Sequence, residues 1–401
     1  MKVTLEEIKK ARETIRPVIR HTEIEKSFSS SKRVGTEVYY KYENAQFTGS
    51  FKLRGAYNKI ANLTSEEKKK GVVASSAGNH AQGVAFSAHK AQVQSTIVMP
   101  ATAPLIKVEA TKDYGAEVVL HGDIYDEAYE KARELEKEKG LTFVHPYEDP
   151  LVIAGQGTIG LEILEKLPDL ESLVVPVGGG GLISGVATAV KSINPKIKVY
   201  GVQSALAPGM ADLFHKKALK EPLRKISTIA DGIAVKKPSQ MMYETYISKY
   251  VDDMVTVTDD EIADAIVALL ERAKTVTEGS GAAGVAALFN RQLKLGRKTC
   301  ILLSGGNIDL NIIEKVIEKG LIHKGRVAAL SVVVDDMPGT LSKLTKIIAD
   351  QKANVLEVHH DRLSQGLFLR ETRVDFVLET TSADHIQQIK AAMLAMGARI
   401  L

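Results

Sequence analysis

The stretch VVASSAGNHAQGVAFSAHKAQVQSTIVM, residues 72–99, predicts the fold of the larger part of this chain. It begins with a short strand (72–74) and a glycine-containing loop, followed by a helix (81–88) and a second strand (95–99). The strands are apolar runs without regular polar alternation, which is typical of parallel strands that are buried on both faces. The sequence therefore predicts an open α/β sheet, in which the loops that follow the strands bind ligands.

The same alternation of short strands and helices continues to about residue 320. The stretches 105–113 and 125–137 are expected to be helices. Further strands are expected at residues 117–120, 143–145, 173–177, 199–203 and 300–303. The first 320 residues are therefore expected to form one α/β domain.

The character of the sequence changes after Gly320. Residues 321–326, LIHKGR, are interpreted as a linker. The predicted elements that follow are a strand at 327–334, a helix at 340–350, strands at 355–359 and 374–378, a helix at 383–396 and a strand at 398–401. Because this βαββαβ order is that of ferredoxin-like domains, residues 327–401 are predicted to form a separate domain.

Composition excludes several classes of protein. The chain has 401 residues, 44% hydrophobic and 25% charged, which is ordinary for a globular protein of two or three domains. The net charge of +4 is small and evenly spread, so no nucleic-acid partner is expected. No apolar run approaches the ~20 residues of a membrane span, and a Thr4-x-x-Glu7 capping box stands where a secretory signal would be. We expect a cytoplasmic protein with no membrane contact, and Cys300 alone cannot form an internal disulfide.

One lysine has apolar neighbours on both sides. It lies in Ser50-Phe51-Lys52-Leu53-Arg54, ahead of a predicted helix. A lysine amine is useful for covalent chemistry when burial or a nearby cation lowers its pKa. Most lysines in such a segment simply extend past their neighbours to solvent. Lys52 becomes a candidate for covalent chemistry only when it is considered together with other parts of the chain.

Three glycine-containing loops follow predicted strands. Residues 75–80 place Asn79 at a helix start, where backbone amides can bind a carboxylate, although a plain helix cap is an equal interpretation. Residues 176–182 contain four consecutive glycines whose amides can surround an anion. This loop lacks both the P-loop Lys-Ser/Thr and a complete dinucleotide pattern, so a monophosphate is favoured. Residues 303–307 place the hydroxyl of Ser304 at the end of a strand, and an ordinary glycine turn is again an equal interpretation.

Taken together, these groups match the needs of pyridoxal phosphate: an amine, a phosphate loop, a partner for the ring nitrogen and a seat for an amino acid's carboxylate. The motifs resemble those of the threonine dehydratases (threonine ammonia-lyases), which are fold-type II pyridoxal-phosphate enzymes. The matching motifs are residues 50–56, 76–83, 178–182 and 304–307. The resemblance covers about residues 1–320 and implies two open α/β subdomains, the smaller at roughly residues 50–150. Residues 336–341 resemble the first turn of an ACT domain, a small regulatory module that binds amino acids.

The resemblance implies a role for each matched residue. Lys52 would bond the cofactor and later remove the Cα proton, Phe51 would pack on the cofactor ring, and Asn79 would bind a ring oxygen. Ser304 would face the ring nitrogen. The residues implied to hold the phosphate are Gly178, Gly179, Gly180, Gly181 and Leu182. The residues implied to bind the substrate carboxylate are Ser76, Ala77, Gly78, Asn79 and His80, and the regulatory positions of the ACT-like region are Pro338, Gly339 and Leu341.

The implied reaction is β-elimination of water from L-threonine to give 2-oxobutanoate and ammonia, with L-serine to pyruvate as a second reaction. Ser304 favours elimination because a hydroxyl is a weak proton donor and leaves the ring nitrogen largely neutral. Serine racemases of this fold carry a second serine where this chain has Ala77, so racemisation is disfavoured. The alternatives are a serine racemase or serine dehydratase of the same fold, and a non-catalytic amino-acid sensor.

The resemblance also implies ligands, an oligomeric state and a metabolic pathway. Isoleucine or valine would bind the ACT-like region, the protein would be a homo-oligomer, most often a tetramer, and its pathway would be isoleucine biosynthesis or threonine catabolism. Some relatives bind a divalent cation through carboxylates. This chain has Gln203 and Gly209 at the corresponding positions, so we expect no metal site.

Overall fold

The computed structural model describes residues 2–219, 226–363 and 366–401. The chain divides into two compact units, residues 1–309 and residues 310–401. Within the described residues, none of the helices combines the length and the apolar composition needed to cross a lipid bilayer.

The first unit contains a six-stranded sheet. Its strands are β1 (Ile24–Lys26), β2 (Glu37–Tyr42), β7 (Ser172–Pro176), β8 (Lys198–Ser204), β9 (Asp253–Val257) and β10 (Lys298–Leu303). Their order is β1-β2-β10-β7-β8-β9, and every neighbouring pair is parallel except β1 with β2. The central strands are buried along nearly their whole length, so both faces of the sheet are covered.

A second, smaller sheet lies within the range expected for the small subdomain. Its strands are β3 (Val72–Ser75), β4 (Ser95–Met99), β5 (Glu117–Leu120) and β6 (Thr142–Phe143). Their order is β5-β4-β3-β6, and all pairs are parallel. The predicted parallel α/β architecture is thus confirmed, with the ligand-binding edge of each sheet where its strands end.

Helices cover both sheets of the first unit. They are Leu5–Ile15, Phe28–Val34, Lys52–Ala61, Ser65–Lys70, Asn79–Lys90, Leu105–Asp113, Tyr125–Lys139, Pro150–Lys166, Gly181–Ile193, Gly209–Phe214, Gln240–Met242, Ser248–Tyr250, Asp259–Ala268 and Gly279–Phe289. Capping residues stabilise the N-termini of several of these helices. The predicted capping box of Thr4 and Glu7 is present, and Asp149 caps the helix that begins with Pro150. Three of these helices, beginning at Lys52, Asn79 and Gly181, start at the predicted motifs.

A buried ionic cluster fixes the helix that begins at Lys52. The guanidinium of Arg54 donates to the carboxylates of Glu43 and Glu162, at 2.6–2.9 Å, and the ammonium of Lys41 donates to Glu162. All four side chains are almost fully buried. Removing one partner would leave an uncompensated buried charge at a cost of roughly 3–5 kcal/mol. The cluster therefore holds the first turn of this helix against β2 and the helix Pro150–Lys166.

The second unit has the predicted ferredoxin-like order. Its elements are the helix Leu310–His323, β11 (Val327–Asp335), the helix Thr340–Asp350, β12 (Asn354–Asp361), β13 (Glu371–Glu379), the helix Ala383–Ala395 and β14 (Arg399–Ile400). The antiparallel sheet has the order β12-β13-β11-β14. Its apolar core includes Leu330, Leu344 and Phe376.

The start of the second unit differs from the expectation. The helix Leu310–His323 continues through residues 321–323, which were interpreted as the first half of a linker. The boundary between the compact units falls after Asp309 rather than at residue 320. The sequence LNIIEKVIEKGLIH keeps a helical apolar period past Gly320, which is buried within the helix.

Candidate active site

Lys52 is the first residue of its helix and is half-buried. Its Nζ donates to the backbone oxygen of Pro146 at 3.1 Å and lies 5.3 Å from the centroid of the Phe51 ring. Burial lowers the pKa of Lys52 to about 8, and the nearby Glu278 opposes this shift. The amine is therefore available in its neutral, nucleophilic form near neutral pH, unlike a surface lysine.

The predicted Ser304 loop lies directly beside Lys52. The backbone oxygen of Ser304 accepts the Phe51 N–H at 3.1 Å, and the Gly306 N–H donates to the Gly49 oxygen at 2.8 Å. Ser304 is buried at the end of β10. The structure thus brings together two motifs that are about 250 residues apart in the chain.

Asn79 is held at the site by partners on both sides of its amide. Its Nδ2 donates to both oxygens of Glu278, at 2.8 and 2.9 Å, and its Oδ1 accepts from the Nδ2 of Asn307 at 2.8 Å. Asn307 also donates to the backbone oxygen of Thr48 at 2.8 Å. Because a carboxylate only accepts, these bonds determine which way the Asn79 amide points.

Glu278 is a site residue that the sequence analysis missed. It is buried, and its backbone N–H donates to the oxygen of Gly305 at 3.0 Å. Burial raises the pKa of its carboxyl group to about 7. One signal could have found it: Glu278 is the only charged residue between Lys274 and Arg291, and it directly precedes a Gly-Ser-Gly helix start.

The four-glycine loop connects β7 to the helix Gly181–Ile193. Gly180 has φ +97°, a conformation that favours glycine. A Cβ at Gly179 would lie far inside contact distance of the Tyr147 ring, and a Cβ at Gly181 would lie 2.8 Å from the Cα of Tyr147. The loop therefore needs glycine, and it leads into a helix N-terminus, where an anion is favoured.

Tyr147 joins the glycine loop to Lys52. It directly follows Pro146, whose oxygen binds the Lys52 amine, and its ring packs against Gly179. Sequence reasoning did not single out this residue. Leu182, assigned to the same loop, is instead buried in the main hydrophobic core and anchors the helix behind the loop.

The loop predicted to bind a carboxylate lies between β3 and the helix Asn79–Lys90. The hydroxyl of Ser76 accepts the N–H of Gly78 at 3.1 Å, which shapes the loop, while Ala77 contributes only a methyl group. The Nε2 of His80 is paired with the oxygen of Val144 at 2.8 Å. Burial, with the positive charge of Lys52, lowers the pKa of His80 to about 3, so this imidazole is neutral. The first amides of the helix are the groups available to an anion.

A family model for pyridoxal-phosphate dependent enzymes matches residues 15–305. The chain belongs to this family. Within it, the sequence is 51% identical to the L-threonine ammonia-lyase of Thermotoga maritima, over 98% of each chain. It is 48% identical to the L-threonine ammonia-lyase of Geobacter sulfurreducens, over 97% of each.

Two solved structures resemble the fold of this chain. Threonine deaminase isoform 2 from Solanum lycopersicum superposes with a TM-score of 0.73 at 37% identity, covering 80% of this chain and 91% of that one. Maize serine racemase superposes with a TM-score of 0.74 at 34% identity, covering 80% of this chain and 99% of that one.

The residues of this site fit pyridoxal phosphate. Four buried hydroxyl oxygens close in sequence to the site residues, on Ser50, Ser75, Thr277 and Ser280, have no hydrogen-bond partner among the described residues. Buried polar groups without a partner are rare, and here they concentrate around Lys52, the carboxylate-binding loop and Glu278. Together with the glycine loop, they provide the polar surroundings that a phosphorylated, hydroxylated ring requires.

Gln203, at the position where we expect no metal ligand, forms an internal hydrogen bond. The Oε1 of Gln203 accepts the N–H of Ala211 at 2.8 Å, in the helix that begins at Gly209. Among the described residues, no group of three or more His, Cys, Asp and Glu side chains is arranged to hold a metal ion.

The acidity of Lys52 can be measured directly. In cofactor-free protein whose lysines carry ¹³C-methyl groups, we expect the Lys52 resonance to titrate near pH 8, because burial disfavours the charged amine. Surface lysines should titrate at about 10.4. NMR spectra of Lys52→Ala assign the resonance by its absence. A Lys52 midpoint at the value of the surface lysines would contradict the desolvated environment.

Proposed function

We propose that this protein converts L-threonine to 2-oxobutanoate and ammonia, and L-serine to pyruvate and ammonia, by β-elimination of water. The observation that carries the proposal is the half-buried Lys52, whose lowered pKa of about 8 makes a neutral amine accessible near neutral pH, beside the glycine loop, Asn79 and Ser304. The names of the two bacterial relatives, both L-threonine ammonia-lyases over nearly their full length, support the same substrate.

Lys52 would move the proton that starts the reaction. When bound, pyridoxal phosphate supplies an electron sink that stabilises the negative charge left at Cα after its proton is removed. The neutral Lys52 amine takes the Cα proton, and a base with a pKa near the working pH suits this task. The C–O bond at Cβ would then break, and the hydroxyl would take up one proton, equivalent to the one removed from Cα, and leave as water. The unsaturated amine product hydrolyses in water to the 2-oxo acid and ammonium.

The other residues would bind and orient. The amides of Gly178, Gly179, Gly180 and Gly181, with Leu182 behind them, hold the phosphate. Asn79 directs an amide N–H at the ring, and Ser304 offers a neutral hydroxyl to the ring nitrogen. The first amides of the helix that starts at Asn79 bind the substrate carboxylate, with the loop of Ser76, Ala77 and Gly78 shaping the approach and the neutral His80 supporting it. Phe51 packs beside the ring.

Serine racemisation is the second candidate, because maize serine racemase superposes well on the first unit. A racemase must deliver a proton to the opposite face of Cα from the one Lys52 serves. The methyl group of Ala77 has no proton to give, which favours elimination. A non-catalytic sensor is disfavoured by the lowered pKa of Lys52, since a sensor needs no activated amine.

The second unit would regulate the first. Its ferredoxin-like fold is the fold that an ACT module would have, which supports this proposal, and Gly339, with φ +88°, forms the turn between β11 and the helix Thr340–Asp350. We place an isoleucine or valine site at this turn, with Pro338 and Leu341 beside it. The corresponding expectations are a homotetramer in the cytoplasm and a role in isoleucine biosynthesis or threonine catabolism.

Steady-state kinetics test the function and the regulation together. With L-threonine or L-serine and the cofactor present, we expect 2-oxo acid from both and an excess of kcat/KM for threonine, up to the ~10–200-fold that one methyl group can provide. Isoleucine should raise the KM for threonine. Chiral analysis of the remaining substrate should show no D-enantiomer. D-serine accumulating faster than pyruvate would instead support the racemase, and no effect of isoleucine or valine would contradict the regulatory proposal.

A further inference from the structure

The carboxyl group of Glu278 is buried at the site, and no cationic side chain among residues 2–219, 226–363 and 366–401 bonds to it. Both of its oxygens accept from the Nδ2 of Asn79, at 2.8 and 2.9 Å. Its backbone is fixed by the bond from its N–H to Gly305, in the loop that also accepts the Phe51 N–H through Ser304. A buried carboxylate whose hydrogen bonds from the described residues come from a neutral amide is costly, so a functional reason for it is expected.

Within the part of the chain that the structure describes, the hydrogen bonds of Asn79 leave one amide donor unused. An asparagine amide has two N–H donors and one oxygen acceptor. The oxygen accepts from Asn307, and Nδ2 lies 2.8 and 2.9 Å from the two oxygens of Glu278. Two oxygens of one carboxylate subtend a smaller angle at Nδ2 than the two N–H bonds of the amide do, so we assign a single shared N–H to this contact. The second N–H is the group that can reach a bound ring oxygen. Its direction is set by the two partners that hold the rest of the amide.

We propose that Glu278 is a positioning residue that directs the free N–H of Asn79 at the cofactor, and that protonation of Glu278 weakens cofactor binding. An ionised carboxylate accepts through both oxygens and fixes the amide. A protonated carboxyl group turns one of these oxygens into a donor, which cannot pair with the Asn79 N–H. The amide then loses its two-point anchor. The inference rests on the cofactor and not on the proposed substrate.

Burial and the charges around Glu278 place the protonation of its carboxyl group near neutral pH. Burial raises its pKa to about 7, and the negative charge of Asp231, in the turn Asp231–Ile233, acts in the same direction. The Asn79 hydrogen bond, Lys107 and Lys52 lower it. Glu278 is therefore ionised above about pH 7 and protonated below it, so acidification is the direction that weakens binding.

Equilibrium dialysis of pyridoxal phosphate against cofactor-free protein, from pH 6 to pH 8.5, tests the proposal without any substrate. For the wild type, we expect the affinity to fall as the pH drops through 7. Glu278→Gln should bind about tenfold more weakly at pH 8.5, the scale of one hydrogen bond to a charged group, and should lack this acidic transition. Ionisation of the cofactor and of Lys52, whose pKa is about 8, is common to both proteins and cancels in the ratio of their affinities, so the transition assigned to Glu278 is read from that ratio.

Asp231→Asn is the matched variant, since it removes the like charge that faces Glu278. It should keep the wild-type affinity at pH 8.5 and move the transition to lower pH. If Glu278→Gln does not fold, as judged by circular dichroism, Asn79→Ala replaces it and should also abolish the acidic transition, because Glu278 then has no amide to hold. A transition that persists in Glu278→Gln or in Asn79→Ala would overturn the proposal.

Discussion

Lys52→Ala is expected to reduce the turnover of L-threonine by at least about 10³-fold. The substitution removes both the amine that bonds the cofactor and the base that takes the Cα proton, and general-base catalysis alone contributes typically about 10²–10⁴-fold. Release of 2-oxo acid, followed with cofactor in excess, measures the loss. Mass spectrometry after borohydride reduction should show cofactor fixed to the wild type and none fixed at position 52 in the variant.

Lys69→Ala is the control for this experiment. Lys69 is an exposed lysine in the helix Ser65–Lys70, so its loss should leave turnover and cofactor attachment unchanged. Substantial turnover by Lys52→Ala without an added amine would mean that another group removes the Cα proton. Cofactor fixed to a different lysine in the wild type would contradict the assignment of Lys52 in the same way.

Gly179→Ala is expected to weaken pyridoxal phosphate binding by about 10–100-fold. The added methyl group would collide with the Tyr147 ring, and overpacking of this kind costs typically about 1–3 kcal/mol, or about tenfold in affinity for each 1.4 kcal/mol. Relief of the collision displaces the loop whose amides hold the phosphate. Equilibrium dialysis with the cofactor-free variant measures the effect.

Removal of the Tyr147 ring distinguishes this collision from a general loss of stability. A Cβ at Gly179 meets ring atoms, whereas a Cβ at Gly181 meets the Cα and backbone oxygen of Tyr147 at 2.8 and 3.0 Å. Adding Tyr147→Ala should therefore recover part of the affinity of Gly179→Ala and none of the affinity of Gly181→Ala. Equal recovery in both, or wild-type affinity in Gly179→Ala alone, would show that the ring does not limit the loop.

Much of the fold could be predicted because its signals are local. Buried parallel strands are short apolar runs, and the strands at residues 72, 95, 117 and 300 were found within two residues of their observed starts. Strand β2 was missed because its sequence, EVYYKY, contains charged and aromatic residues. Its Lys41 is buried all the same, because Glu162, far along the chain, pairs with it. Such a long-range pair leaves no periodic signal in a single sequence.

The residues of the candidate site also differ in how far the local sequence predicts them. Lys52, Asn79, Ser304 and the glycines lie in short motifs whose chemistry is visible locally, and the structure brings them together. Glu278 and Tyr147 belong to the site through distant contacts, with Asn79 and with Gly179, and their own segments carry at most a weak signal, the lone charge of Glu278 before a Gly-Ser-Gly helix start. Residues that hold a site in place are harder to predict than residues that bind, because only the folded chain creates their partners.

The most direct test of the proposed function is the stoichiometry of the reaction with L-threonine. The account predicts one 2-oxobutanoate and one ammonium for each threonine consumed by the wild-type protein loaded with pyridoxal phosphate, and neither product from Lys52→Ala. Threonine that is consumed without 2-oxobutanoate, or that is returned as another stereoisomer, would contradict β-elimination by Lys52.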